Sequence, residues 1–167
     1  MTIERVGIIG AGTMGAGIAT NIAENGIEVS LIDLSKETLD SALERARKFY
    51  ARNVDRERMS QTAAAAALER LSTGTGLEAL GNCDLVIEAV AEKLSVKQTV
   101  FADLEKVIKP DAILATNTSA IPIEDIATAL DDPSRLIGLH FFNPVPVLPL
   151  VEVIWSLHSN QDLITRG

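Results

Sequence analysis

Residues 6–15 read VGIIGAGTMG, an apolar stretch that runs directly into the glycine pattern G-x-G-x-x-G. An alanine- and isoleucine-rich segment with helical spacing follows through Ala23. Glycine triplets occur by chance in many loops, but a strand before the motif and a helix after it are typical of a dinucleotide-binding unit. In such a unit Gly10 permits the tight turn, Gly12 lets a pyrophosphate approach the backbone, and Gly15 lets helix and strand pack closely. The helix N-terminus then offers N–H groups to the phosphates.

A second strand pattern, Ile27–Ile32, ends at Asp33. An acidic residue about twenty positions after the glycines is where a dinucleotide-binding fold holds the adenosine ribose hydroxyls. Because a carboxylate at this point repels a 2′-phosphate, the sequence predicts NAD rather than NADP as the cofactor. Asp33 could instead be a turn or N-cap residue before the next helix, although Ser35 could also take that role.

Strand and helix patterns alternate along the rest of the chain, as they do in folds built from βαβ units. We therefore predict an α/β fold of the Rossmann type, a doubly wound and mostly parallel sheet, with residues 1–167 forming one NAD-binding domain. A helical hairpin at about residues 35–71 replaces the single short crossover of a plain Rossmann unit. Its first helix is predicted over residues 36–53, and its second begins at the N-cap Ser60 and reaches Leu71.

The helical hairpin permits two interpretations. It is either a packing elaboration of the fold or a surface whose basic side chains meet an acidic substrate tail, and the sequence favours neither. These basic side chains are Lys48, Arg52, Arg56 and Arg58.

Polar side chains follow two later strand patterns. Glu92 and Lys97 come shortly after the strand at residues 84–87, and the segment TNTS at residues 116–119 follows the strand at residues 112–115. Since open α/β folds bind ligands at the carboxyl ends of their strands, both groups are candidates for ligand contacts. Alternatives stay open, because Glu92 could cap the next helix, Lys97 could lie on a solvated helix face, and TNTS could be an ordinary turn.

An ionisable side chain, His140, lies within the apolar run of residues 137–144. Glu152 lies in a second apolar run, residues 150–154. Strand-like runs of this kind are normally buried, and a buried imidazole needs a hydrogen-bond partner, so we predict that the two side chains form an acid–base pair. The alternative for His140 is a core histidine with a structural role. The other histidine, His158, lies in a polar stretch and is predicted to be a surface residue.

The composition of the chain limits its possible functions. With 47% hydrophobic residues the chain can bury a core, and its net charge of −8 argues against a nucleic-acid partner. No hydrophobic run could span a bilayer, and the first strand begins too soon after Met1 to leave room for a signal peptide, so we predict a cytoplasmic protein without a membrane partner. Cys83, the only cysteine, is expected to be buried, and no Cys/His cluster has the spacing of a metal site.

Several motifs follow one another in an order that is known from one protein family. The motif GAGTMG at residues 10–15 is generic, whereas GLHFFNPVP at residues 138–146 followed by LVEVI at residues 150–154 is specific. The segments IEAVAE at residues 87–92 and NTS at residues 117–119 complete the set. Together they resemble the N-terminal NAD-binding domain of the L-3-hydroxyacyl-CoA dehydrogenases, over nearly the whole chain and including the helical hairpin.

The resemblance implies an activity and a role for each matched position. It implies NAD-dependent oxidation of an acyl-CoA substrate, L-3-hydroxyacyl-CoA, to 3-ketoacyl-CoA, as in fatty acid β-oxidation. His140 is then the base that takes the proton of the 3-hydroxyl, Glu152 orients it and stabilises the imidazolium, and Ser119 hydrogen-bonds the reacting oxygen. The implied cofactor-binding residues are Gly10, Gly12, Thr13, Met14, Gly15, Asp33, Glu92, Lys97, Asn117 and Asn143.

Members of this family continue into a second, helical domain that completes the acyl-CoA cleft and forms most of a homodimer contact. The resemblance implies that this domain is absent from the present chain, which ends at Gly167. We therefore expect the chain to bind NAD yet turn over poorly, because water reaches a cleft that is open on one side. Residues 147–150 also lack the basic residue common in the family, and Trp155 stands where smaller or polar residues are usual.

Two other functions compete with this one. The chain could be a stand-alone NAD-binding module without turnover, or a related dehydrogenase of another 3-hydroxy acid, such as a sugar acid. The set of His140, Glu152 and Ser119 favours an enzyme, because binding alone needs none of them. Basic residues on the hairpin favour a CoA substrate over a free acid.

Overall fold

Seven strands form one sheet in the structure, a computed structural model that describes residues 2–160. The strands are β1 (Arg5–Ile9), β2 (Glu28–Ile32), β3 (Leu71–Gly74), β4 (Leu85–Glu88), β5 (Ile113–Thr116), β6 (Leu136–Phe141) and β7 (Val151–Ile154). The helices are α1 (Thr13–Glu24), α2 (Lys36–Asp55), α3 (Gln61–Glu69), α4 (Leu94–Leu104) and α5 (Ile123–Ala127), with short 3₁₀ helices at Leu77–Leu80 and Pro133–Arg135. The spatial order is β3-β2-β1-β4-β5-β6-β7, and all neighbouring strands are parallel except β6 and β7. The predicted fold class is confirmed.

Alternate residues of the central strands pack on opposite faces of the sheet, as the period of two requires. Ile8 of β1 packs in one apolar cluster with Ile18 of α1 and Leu39 of α2. Its neighbour Ile9 packs in a second cluster with Phe101 of α4. Because helices cover both faces, every residue of β4 and β5 is buried.

The chain order reverses at the centre of the sheet, where β1 lies between β2 and β4. In open α/β sheets a ligand crevice forms at the carboxyl ends of the strands beside such a reversal. The turns that follow β1 and β4 therefore border the crevice, and these are the turns that carry the glycine motif and Glu92.

Both helices of the hairpin begin at the serines that the sequence indicates. The Oγ atom of Ser35 accepts a hydrogen bond from the backbone N–H of Thr38 at 3.2 Å. The Oγ atom of Ser60 accepts one from Ala63 at 3.1 Å. Each bond satisfies an N–H group that has no partner within its own helix, which fixes where the helix starts.

The ends of the hairpin helices differ from the prediction. Helix α2 continues past Asn53 to Asp55, and α3 ends at Glu69 instead of Leu71. Leu71 belongs to β3 because its backbone pairs with Val29 of β2. The parallel ladder between these strands ends α3 earlier than its helical pattern predicts.

The expectation that the LVEVI segment is buried is wrong. Within the described chain, β7 is an edge strand that pairs with β6 alone, and Val151 and Ile154 are each 40% exposed. An edge strand has a neighbour on one side only, so its apolar side chains are covered less than those of a central strand.

Two predictions about single residues are confirmed. Cys83 is buried, and burial raises the pKa of its thiol to about 11. His158 is exposed.

Within residues 2–160, no helix combines the length and the apolarity needed to cross a bilayer. Over the same residues, no group of three or more His, Cys, Asp or Glu side chains is placed to hold a metal ion.

Candidate active site

The glycine turn joins β1 to α1 at the crevice. Gly10 has a φ of +100°, which L side chains rarely adopt, and a Cβ there would lie 2.6 Å from the carbonyl oxygen of Ala89. A Cβ on Gly15 would lie 1.8 Å from the carbonyl oxygen of Gly10, so α1 can approach β1 only at a glycine. Apart from Gly12 itself and its two chain neighbours, no atom of residues 2–160 lies within 4 Å of the place where a Cβ on Gly12 would stand. The fold thus requires Gly10 and Gly15, whereas the space beside Gly12 is open, as a bound pyrophosphate requires.

The N-terminus of α1 is suited to an anion. Gly12 is its N-cap and makes no side-chain capping bond, and the first turn, which begins with Thr13 and Met14, contains no acidic residue. The first N–H groups of a helix have no partners within the helix, and the helix dipole makes this end positive. The residues present therefore fit the phosphates of a dinucleotide.

Asp33, at the end of β2, holds the glycine turn in place. Its Oδ2 atom accepts a hydrogen bond from the N–H of Ala11 at 2.8 Å, and its Oδ1 atom accepts one from Ser35 at 2.9 Å. From α2, Arg45 donates to the carbonyl oxygen of Ala11 at 3.0 Å. Ser35 caps α2, so the alternative N-cap role for Asp33 is wrong. Asp33 and Gly12 also line a mostly apolar cavity of about 520 Å³.

A second cavity, of about 360 Å³, lies at the carboxyl ends of β4, β5 and β6. It shares Ala89 and Val90 with the first cavity, so the two adjoin at the turn after β4. Of the residues that the sequence singles out, those that line this cavity are Met14, Glu92, Asn117, Ser119, His140 and Asn143. The structure thus brings together residues from four separate parts of the chain.

His140 and Glu152 are directly opposite each other on β6 and β7. Directly opposite residues of an antiparallel pair point to the same face, so the two side chains meet. The Nδ1 atom of His140 lies 2.8 Å from Oε2 of Glu152. With a carboxylate as its partner, Nδ1 carries the proton, and Nε2 keeps a lone pair that can accept a proton from a ligand.

The pair is less buried than the apolar runs around it predict. The side chain of His140 is 20% exposed and that of Glu152 is 53% exposed. Both side chains lie near the open edge formed by β7, whereas a core histidine would be enclosed. The structural alternative for His140 is therefore not supported by its position.

Glu92 fixes the turn that carries Ser119. Its Oε1 atom accepts hydrogen bonds from the hydroxyl of Thr118 at 2.5 Å and from the N–H of Ser119 at 3.0 Å. Partial burial opposes ionisation of this carboxyl group, but the bonds from Thr118 and Ser119 and the ammonium of Lys97 outweigh it and lower its pKa to about 2. The alternative in which Glu92 caps α4 is wrong, because the N-cap is Lys93 and no side chain caps that helix.

Asn117 joins the ends of two strands. Its Oδ1 atom accepts a hydrogen bond from the N–H of Phe141 at 2.9 Å, and its own N–H donates to the carbonyl oxygen of Glu88 at 2.8 Å. These bonds hold the residue that follows β5 against the end of β4 and against the end of β6. The amide group of Asn117 thereby keeps Ser119 and His140 on the same cavity wall.

Lys97 does not lie on a solvated helix face, so that alternative is wrong. Its side chain is 1% exposed, and Nζ donates to both carboxylate oxygens of Glu88, at 2.8 and 2.9 Å. Nζ also lies 3.1 Å from Oε2 of Glu92. Three carboxylate oxygens occupy the three N–H donors of this ammonium, so we infer that Lys97 acts on a ligand through Glu92 rather than by touching it.

Glu88 is a site residue to which the sequence analysis gives no role. It is the last residue of β4 and is 0% exposed. Besides Lys97, its carboxylate accepts hydrogen bonds from the N–H of Val90 at 2.7 Å and the hydroxyl of Thr116 at 2.8 Å. The sequence does carry a signal for it, because Glu88 is a carboxylate that directly continues an apolar strand, but among the carboxylates after this strand the prediction of a ligand contact is limited to Glu92.

The helical hairpin contributes to a third cavity, of about 590 Å³. Among its lining residues, Arg52, Arg56 and Arg58 come from the hairpin, and Pro144 and Pro146 follow β6. Lys48 does not line this cavity and forms an exposed ion pair with Glu44 instead.

Comparisons with known proteins agree with this architecture. A family model described as "3-hydroxyacyl-CoA dehydrogenase, NAD binding domain" matches residues 5–167. A 3-hydroxybutyryl-CoA dehydrogenase of Mycobacterium tuberculosis (strain CDC 1551 / Oshkosh) is 43% identical over 165 residues, which are 98% of this chain and 58% of that protein. A 3-hydroxyadipyl-CoA dehydrogenase of Escherichia coli (strain K12) is 42% identical over 166 residues, which are 99% of this chain and 35% of that protein.

A solved structure is similar over the same length. The crystal structure of FadB2 from M. tuberculosis superposes with a TM-score of 0.96 at 42% identity, covering 99% of this chain and 59% of that one. The present chain therefore spans between 35% and 59% of the length of these three proteins.

Proposed function

Because the chain belongs to the family of 3-hydroxyacyl-CoA dehydrogenase NAD-binding domains, we propose that it binds NAD along the crevice and supplies the residues that oxidise the 3-hydroxyl of an L-3-hydroxyacyl-CoA. The observation that carries this proposal is the hydrogen-bonded pair of His140 and Glu152 beside a cavity that adjoins the glycine turn. A binding module has no need of a base held by a carboxylate at this position.

The residues of the crevice would hold NAD in three parts. The cavity beside Asp33 suits the adenosine, the open space beside Gly12 suits the pyrophosphate, and the cavity that contains His140 suits the nicotinamide and the 3-hydroxyl. When bound, NAD supplies the hydride acceptor, and the protein supplies orientation and proton transfer.

Three side chains take part in the transfer of the proton from the 3-hydroxyl. Nε2 of His140 accepts the proton of the 3-hydroxyl as hydride leaves C3, so that the C–O bond becomes a carbonyl. Glu152 accepts the hydrogen bond from Nδ1 and stabilises the imidazolium that results. The hydroxyl of Ser119, held in place because Glu92 binds its backbone, donates to the reacting oxygen.

Two measurements test this function. NADH is titrated into the protein and binding is followed by its fluorescence, and the oxidation of NADH is then recorded on addition of acetoacetyl-CoA. We expect saturable binding, and we expect NADH oxidation that depends on acetoacetyl-CoA when the protein is produced at the length its gene encodes. Binding without any turnover at that length would favour the stand-alone NAD-binding module, and absence of binding would overturn both.

A CoA substrate is favoured over a free 3-hydroxy acid by the third cavity. CoA carries several phosphate charges, and guanidinium groups bind phosphates with strong, charge-assisted hydrogen bonds. Arg52, Arg56 and Arg58 line a cavity that also includes Pro144 and Pro146, a few residues after His140. A long acidic substrate could therefore place its reacting end at His140 and its phosphates on the hairpin.

Replacing Arg52 and Arg56 together by alanine is expected to raise the KM for acetoacetyl-CoA about tenfold or more, because each lost charge-assisted bond weakens binding. The same variant should leave the KM unchanged for an acetoacetyl thioester that lacks the nucleotide. Lys48→Ala is the matched control, since Lys48 is basic and lies on the same helix but outside the cavity. Equal effects on both thioesters would contradict a CoA site on the hairpin.

The homodimer and the cytoplasmic location expected from the sequence remain predictions. A sedimentation measurement of the protein at the length its gene encodes would test the first of them.

A further inference from the structure

Three charged side chains form one connected group behind the wall of the nicotinamide cavity. Glu88 and Lys97 are buried, and Nζ of Lys97 bridges the carboxylate of Glu88 and the Oε2 atom of Glu92. Both oxygens of Glu88 accept hydrogen bonds, from Lys97, Val90 and Thr116, which is the pattern of an ionised carboxylate.

The charges in this group do not cancel. It holds two carboxylates and one ammonium, so its net charge is −1. Lys93, the nearest other cation in sequence, is exposed and forms no ion pair with either carboxylate. If position 88 were neutral, Lys97 and Glu92 would cancel each other. The buried Glu88 already neutralises Lys97. The negative charge of Glu92, which lies on the cavity wall, is therefore not balanced by a neighbouring cation.

A fixed negative charge acts differently on the two forms of the cofactor. The nicotinamide ring is a cation in NAD⁺ and neutral in NADH, so a carboxylate nearby lowers the energy of NAD⁺ selectively. Among the described residues that line this cavity, the one other ionisable group is His140, which is paired with Glu152.

We propose that Glu88 is a specificity-determining residue that shifts the affinity of the site towards NAD⁺ and away from NADH, acting through Lys97 and Glu92. The proposal rests on the proposed function, since it requires the nicotinamide to occupy the cavity that Glu92 lines. Weaker retention of the neutral product NADH after hydride transfer follows from the same charge. Mere anchoring of β4 by Glu88 would change both affinities alike.

The test compares two variants with the wild type at one fixed ionic strength. The single variant carries Glu88→Gln, and the double variant carries Glu88→Gln together with Lys97→Met. The measured quantity is the Kd for NADH divided by the Kd for NAD⁺, from fluorescence titration and calorimetry respectively. Glu88→Gln makes the group neutral, and the ratio should fall roughly three- to tenfold, as expected for the loss of one unit charge near a partly solvated site. The double variant removes the ammonium as well, restores a net charge of −1, and should return the ratio to the wild-type value or above it.

Four outcomes decide the matter. A fall in the single variant with recovery in the double variant supports the proposal. An unchanged ratio in a folded Glu88→Gln variant overturns it, while NAD binding by the wild type keeps the proposed function intact. If Glu88→Gln fails to fold, as judged by circular dichroism, Glu92→Gln takes its place, because it also makes the group neutral. A ratio that falls in Glu92→Gln and stays at the wild-type value in the double variant supports the proposal, and an unchanged ratio in Glu92→Gln overturns it. A wild-type chain that binds neither cofactor form overturns this inference and the proposed function together.

Discussion

Replacing His140 by glutamine is expected to lower kcat for acetoacetyl-CoA reduction by about 10³-fold, because a positioned general acid or base typically contributes 10²- to 10⁴-fold. Glutamine keeps a similar size and can still hydrogen-bond Glu152, but it cannot carry the proton. The affinity for NADH should stay within about twofold, since the residues proposed to bind the phosphates and the adenosine lie at the glycine turn and at Asp33. Steady-state kinetics and a fluorescence titration on the same sample measure both quantities.

Replacing Glu152 tests the same acid–base pair with a smaller expected loss of kcat. Glu152→Gln keeps the partner of Nδ1 but removes the negative charge that stabilises the imidazolium, so we expect a smaller loss of about 10²-fold in kcat. Combined with His140→Gln, this change should cost little more than His140→Gln alone, because the carboxylate acts through the imidazole. Additive losses would mean that the two side chains act independently, contrary to their 2.8 Å contact.

The chain provides its own control histidine. His158 is exposed, and its backbone N–H donates a hydrogen bond to the hydroxyl of Ser156. His158→Gln should therefore keep full kcat. A His140→Gln variant that retains more than about a tenth of the wild-type kcat would contradict the role of His140 as the base.

The central part of the fold could be predicted because its signals are local. A strand before G-x-G-x-x-G, a helix after it, and serines that cap α2 and α3 each depend on backbone rules within a few residues. The end of α3 could not be predicted in this way. Leu71 leaves the helix because β2 offers a pairing partner that is distant in sequence, at Val29.

Burial at the site also depends on contacts that are distant in sequence. The apolar runs around His140 and Glu152 predict two buried strands, but β7 lies at the edge of the sheet and exposes half of the Glu152 side chain. Conversely, the sequence leaves open whether Lys97 contacts a ligand or lies on a solvated helix face, yet Glu88 and Glu92 enclose its ammonium. In both cases the position of the element in the fold decides what the local pattern cannot.

Substitution of two glycines in one turn should have opposite consequences for stability and for binding. Gly15→Ala is expected to lower the free energy of unfolding by about 3 kcal/mol, because overpacking that moves the backbone carries such a cost. Its Cβ would lie 1.8 Å from the carbonyl oxygen of Gly10, which the chain can relieve only by separating α1 from β1. Urea denaturation followed by circular dichroism measures this loss.

Gly12→Ala is expected to leave the free energy of unfolding within about 1 kcal/mol of wild type and to weaken NADH binding by about 100-fold or more. The backbone at Gly12 has a φ of −64°, which any residue adopts, and in the described part of the chain only the two neighbouring residues lie within 4 Å of the new Cβ. We propose that the pyrophosphate of the cofactor fills this open space, so a methyl group there would separate it from the N-terminus of α1.

The two variants serve as controls for each other. If the denaturation midpoint of Gly12→Ala matches that of the wild type, its loss of binding cannot be attributed to unfolding. A destabilised Gly15→Ala variant would show that the same turn is sensitive to added volume where α1 packs against β1. A Gly12→Ala variant that binds NADH as tightly as wild type would place the phosphates elsewhere. The dinucleotide would then have to bind in a part of the crevice where the N-terminus of α1 and the carboxylate of Asp33 do not contact the same ligand. The hydrogen bond from Ala11 to Asp33 would in that case serve only to stabilise the turn.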